Sequence, residues 1–116
     1  MIDDKAQELG RLLGQSTEYQ ALRRAEGSLR DDTDTQGKLE TISRLTREFD
    51  ALMAQGQAPE EAQAQEYETT LREFELSPSG QAYLVARSNV DKLMQRVNQR
   101  ITDGIERGAT SGIITL

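Results

Sequence analysis

The 116-residue chain contains no cysteine, no histidine and no tryptophan, and only two prolines. Without cysteine or histidine there is no disulfide framework, no thiolate or imidazole metal site, and no Cys nucleophile or histidine general base. Large apolar residues are also scarce: 13 Leu, 6 Ile, 3 Val and 2 Phe, just above the level at which a charged chain stays disordered. No apolar run approaches the length needed to span a bilayer, and the first residues, Ile2-Asp3-Asp4, are unlike a secretory signal. These absences lead us to expect a cytoplasmic protein with no membrane insertion and no cofactor.

What remains is rich in helix formers: eleven Ala with many Gln, Glu and Arg. A thin core combined with strong helical propensity implies long helices that gain burial from a partner chain. The spacing Ile2, Ala6, Leu9, Leu13 predicts a first helix over 2–14 with a stop at Gly14. Ser16 is placed to cap a second over 17–30, whose apolar face is Leu22, Ala25 and Leu29. The cluster Asp31-Asp32-Thr33-Asp34-Thr35 reads as helix caps at a chain reversal. Three aspartates also resemble the start of a calcium loop, but Ile42 stands where such a loop needs its bidentate Glu.

A third helix follows on Leu39, Ile42, Leu45, Phe49 and Leu52, ending at Gly56, and a fourth is expected to start at Pro59 with the stripe Ala64, Tyr67, Leu71, Phe74. Ser77-Pro78 opens the longest pattern, Tyr83, Ala86, Val90, Leu93, Val97, Ile101 and Ile105, which is expected to end at Gly108. Such a helix, on the order of 45 Å long, exceeds the diameter of a compact domain of this size. The expected fold is therefore all-α: an elongated antiparallel helical bundle or hairpin with a long C-terminal helix, expected to be dimeric because one thin protomer leaves its stripe uncovered. It forms one domain, 1–108, with a flexible tail over 109–116.

Charge is uneven. Residues 31–76 carry net −8 and residues 77–116 net +2 within an overall −6. On the long helix Lys92, Arg96 and Arg100 stand four residues apart on one face. This ridge either pairs with glutamates of a neighbouring helix or docks an acidic partner. Direct nucleic-acid binding is not expected of an acidic chain with so few aromatics. Tyr83, Val90, Leu93, Val97 and Ile101 are the expected core or dimer seam, and no residues stand out as catalytic or metal-binding.

The order of segments Ile2-Asp-Asp-Lys-Ala-Gln-Glu-Leu9, Ser16-Thr-Glu-Tyr-Gln-Ala-Leu22, Asp31 to Gln36, Ser77-Pro-Ser-Gly-Gln-Ala-Tyr83-Leu84 and Val97-Asn-Gln-Arg-Ile101 resembles the YlbF/YmcA family of small helical bacterial regulators. The resemblance implies long antiparallel helices, a homodimer or higher homo-oligomer, and no enzymatic activity. It also implies action with family relatives and the partner YaaT on mRNA processing by an RNase Y-type nuclease, with effects on competence, sporulation and biofilm formation. Some members lend cysteines to iron–sulfur clusters; this chain has none to lend. The alternative reading is a self-assembling structural protein of phage or microcompartment type, docking through Ile113-Ile114-Thr115-Leu116.

Overall fold

Five helices follow from these signals in a computed structural model of the chain, which describes residues 1–114, and side chains through residue 110. They are α1 (Ile2–Gly14), α2 (Thr17–Asp31), α3 (Thr33–Ala54), α4 (Glu61–Leu76) and α5 (Pro78–Ile114), with no strand among the described residues. The all-α fold class and the number and order of the expected helices stand. Helix α2 lies along α5 and α3 lies along α4, whereas α2 with α3, and α4 with α5, share far fewer contacts. The architecture is thus one long helical hairpin, bent in the middle and turned at Gly56.

Each joint has a local cause. The Ser16 hydroxyl accepts from the Tyr19 N–H at 3.2 Å and donates to the Leu13 carbonyl at 2.6 Å, so one side chain serves both the end of α1 and the start of α2. At the turn Gly56 has φ +73°, and the N–H groups of Gly56 and Gln57 bond the Met53 and Leu52 carbonyls at 3.0 and 2.9 Å. That is the left-handed cap that glycine adopts without steric cost. Ser77 caps α5, its hydroxyl accepting from the Gly80 N–H at 3.0 Å, with Pro78 at the first helical position.

Three expectations need correction. The reversal expected at 31–34 is a bend through one residue, Asp32, because α3 is capped as soon as α2 ends. The fourth helix begins at Glu61 and not at Pro59; Glu60 is the extended N-cap residue, so the proline sits one position before the cap. The long helix passes through Gly108 and continues to Ile114, since an isolated glycine costs a helix about 1 kcal/mol but supplies no stop without a capping partner. The expected tail therefore contains helix up to residue 114, while Thr115 and Leu116 lie outside the described residues.

At about 55 Å, from 37 residues, α5 is the backbone of the fold. The molecule measures 63 × 38 × 20 Å with a radius of gyration of 19.9 Å, against about 13 Å for a compact chain of 100 residues. Its core is a narrow strip: Ala25 and Leu29 of α2, Leu45 of α3, Phe74 of α4, and Ala86 and Val90 of α5. Phe74 meets Tyr83 edge-on at 6.3 Å, and Phe49 meets Tyr67 similarly at 5.6 Å.

Two glycines of α5 differ in what surrounds them. A Cβ on Gly80 would collide with the Phe74 carbonyl oxygen and come within 2.7 Å of the Ser77 hydroxyl, whereas one on Gly104 meets nothing within 4 Å. Gly80→Ala is expected to destabilise by about 1–3 kcal/mol, because backbone must move. Gly104→Ala is expected to stabilise by up to about 1 kcal/mol. Chemical denaturation of the two variants against the parent checks both signs.

Candidate interaction surface

Near the bend, three helix ends are tied by one residue. Asp32 closes α2 through its N–H to the Leu29 carbonyl and opens α3 by accepting from the Thr35 N–H at 3.2 Å and the Thr35 hydroxyl at 2.7 Å. It also accepts from the Ser79 hydroxyl at 2.8 Å, 47 residues away in the first turn of α5. The Thr35 and Ser79 hydroxyls both donate to Oδ2 and the Thr35 N–H to Oδ1, and Thr35 is buried. Hydrogen bonds from Thr35 first and Ser79 next, with a smaller contribution from Lys38, hold the Asp32 carboxyl below its usual range. Its neighbour Asp34 is engaged by the Lys38 ammonium at 2.9 Å, which raises the lysine's pKa. The aspartate cluster is therefore a capping junction, as its residue types imply. Among the described residues no group of three or more acidic side chains is arranged to hold a metal ion.

The expected seam residues divide along α5. Val90 is buried and belongs to the α2–α5 core. Tyr83 is half-buried against Phe74, and its hydroxyl accepts from the Arg87 guanidinium at 3.1 Å, which raises the pKa of the arginine. Leu93 and Val97 are half-buried, and Ile101 is 48% exposed. These last three, with Leu9 of α1 opposite, line an open apolar groove of about 450 Å³ whose remaining lining residues are Arg96 and Arg100. Ile105 and Ile2, further out on the same two helices, are 65% and 82% exposed. Helix α1 itself makes few contacts with any other helix, and none of its residues is buried.

The cationic ridge divides as well. Lys92 and Arg96, with Asn89 of the same helix, flank a shallow cleft shared with Thr17, Glu18 and Ala21 at the start of α2. There Arg96 reaches Glu18 at 3.5 Å. The Glu18 carboxyl lies below its usual range, held first by its own backbone N–H and the Thr17 hydroxyl and then by Arg96. Arg100 turns toward the apolar groove and has no ion-pair partner among the described residues. Opposite in sign, the α3–α4 arm is laced by exposed pairs, Lys38 with Glu73 at 3.9 Å and Arg44 with Glu66 at 3.6 Å.

With this geometry in place, the family comparison becomes decisive: the family described as control of competence regulator ComK, YlbF/YmcA, matches residues 2–106. The chain belongs to the YlbF/YmcA family. No curated protein and no solved structure matched it. Membership assigns this YlbF/YmcA chain to the control of a regulator, in keeping with a surface that offers grooves and charged ridges. No described helix is long and apolar enough to cross a membrane.

Two features of the surface were outside the reach of sequence reasoning. The Asp32–Ser79 bond joins residues that only the hairpin topology brings together, and Leu9 gains its place opposite Val97 by the same route. No local pattern encodes either contact.

The lowered Asp32 pKa fixes a sign. A carboxylate whose folded pKa lies below its unfolded value adds stability that is complete above the unfolded value and is lost as pH falls through the folded one. Asp32→Asn is therefore expected to melt below the parent at neutral pH, with the gap closing as pH drops through and below the ordinary carboxylate range. Thermal melts followed by circular dichroism across that range measure the gap; a constant difference contradicts the assignment.

Proposed function

We propose that this YlbF/YmcA protein is a non-enzymatic adaptor that acts in the cytoplasm, without a cofactor, by binding other proteins. The observation that carries the reading is the half of α5 beyond Val90, where Leu93, Val97 and Ile101 lie beside Lys92, Arg96 and Arg100 and are left largely open by the rest of the protomer. Exposed apolar surface rimmed by charge is the ordinary signature of a protein-docking face. The absence of His and Cys from the sequence supports the non-enzymatic part. In this reading the partners are family relatives and an RNase Y-type nuclease, so that the protein adjusts mRNA processing and thereby competence, sporulation or biofilm formation. Self-association into a homodimer or higher homo-oligomer belongs to the same reading and uses outward apolar residues such as Ile2, Leu12 and Ile105.

The test is affinity capture of the tagged chain from its native cytoplasm, in parallel with the variant Lys92→Glu, Arg96→Glu, Arg100→Glu. Recovery of a nuclease of that type, or of YlbF/YmcA relatives, by the parent and not by the charge-reversed variant is the expected result. Recovery of only the chain itself from both would overturn the adaptor reading in favour of a self-assembling structural role.

A further inference from the structure

The groove between α1 and the distal half of α5 combines two features that together specify an occupant. Its walls are apolar, with Leu9 on one side and Leu93, Val97 and Ile101 on the other, over about 450 Å³. Two guanidiniums, Arg96 and Arg100, stand in the same lining, and no carboxylate does. Arg96 is 66% exposed and holds Glu18 only at 3.5 Å, and Arg100 has no ion-pair partner among the described residues. The floor therefore asks for an apolar stripe, and the arginines ask for carboxylates beside it.

A second copy docking groove to groove supplies the stripe but not the charge. A contact that sets the two grooves face to face on the twofold axis would bring two pairs of guanidiniums close together, with no carboxylate in either groove lining to offset them. Helix α1, 13 residues and about 20 Å long, borders the groove through Leu9 and makes few contacts with any other helix, leaving the side toward α5 open. A helix laid between them would contact Leu9 from one side and the Leu93–Val97–Ile101 stripe from the other, in the manner of helix-in-groove recognition.

We propose that this groove is the docking site for an amphipathic α-helix of a partner protein that carries an apolar stripe at helical spacing and glutamate or aspartate along one flank. The proposal rests on the adaptor reading above and names the chemistry of its partner. Arg96 and Arg100 select the charged flank, while Leu9, Leu93, Val97 and Ile101 take up the stripe. Because the cationic rim is shared with the ridge, charge reversal there weakens docking.

The probe is a fluorescein-labelled designed helical peptide of about 14 residues, with Leu at the stripe positions and Glu on one flank, titrated with the full chain in an anisotropy assay. A second peptide with Lys in place of Glu serves as comparison. The Glu peptide is expected to bind saturably, more weakly at high salt, and at least tenfold more tightly than the Lys peptide. Binding should fall at least tenfold in Arg96→Glu, Arg100→Glu and in Ile101→Asp, and should be unchanged in Val85→Asp, an exposed position of α5 outside the groove. Circular dichroism of each variant establishes that it remains folded.

No saturable binding, or equal binding of the two peptides, overturns the proposal. So does conversion of a parent dimer to monomer by Ile101→Asp without any effect of the peptide, which would give the groove to a second copy. Failure of the adaptor reading looks different: the peptide binds as expected, but affinity capture recovers no partner that depends on the ridge.

Discussion

Everything in this fold pivots on the hydrogen bonds accepted by one carboxylate. Asp32 is the single non-helical residue between two helices of 15 and 22 residues, and it caps the second while receiving the Ser79 hydroxyl from the opposite strand of the hairpin. Two helix interruptions, at Asp32 and at Ser77, are thereby held side by side, so that both limbs of the hairpin bend at the same level. Gly80 permits the tight joint between α4 and α5, since its missing side chain leaves room for the Phe74 carbonyl and the Ser77 cap. Phe74, Leu29 and Leu45, the most deeply buried large side chains, fill the remaining space in the strip.

From that bend follow two arms with different surfaces. The α3–α4 arm is acidic and carries two surface ion pairs between its helices, each worth little. In the other arm α5 outruns the helices packed on it and carries the apolar and cationic residues left over. The exposed surface of 8,809 Å² exceeds by a wide margin the roughly 6,300 Å² of a compact monomer of 13.0 kDa. A chain with so few large apolar residues spread along so much length has little core of its own.

The legible part of the fold was its periodic part. Ile2 to Leu13, Leu39 to Leu52 and Tyr83 to Ile105 each repeat at three or four residues, and each is helical; Ser16, Ser77 and Gly56 sit at helix ends because their side chains, or the lack of one, solve the end's hydrogen bonding. Boundaries set by weaker signals were misplaced. Gly108 resembled a stop and Pro59 a start, but a glycine without a capping partner does not end a helix, and a proline can precede one as readily as begin it. At the surface, the four-residue step of Lys92, Arg96 and Arg100 was visible, yet which of them would find Glu18 and which would face a groove depended on where α1 and α2 come to rest. Tyr83, Val90, Leu93, Val97 and Ile101 shared a stripe, and only the packing of the opposing helices separates buried Val90 from half-buried Tyr83, Leu93 and Val97 and exposed Ile101.

Because the chain has no cysteine, paired spin labels can be introduced without interference, and the central claim is open to a direct distance measurement. Met53 near the tip of one arm and Ile105 on the other are both largely exposed. Pulsed electron resonance on Met53→Cys, Ile105→Cys should give one narrow distance distribution in the parent and a broadened or displaced one when Ser79→Ala removes the bond to Asp32. An unchanged narrow distribution in the Ser79 variant would contradict the account, and would place the origin of the bend elsewhere in the joint.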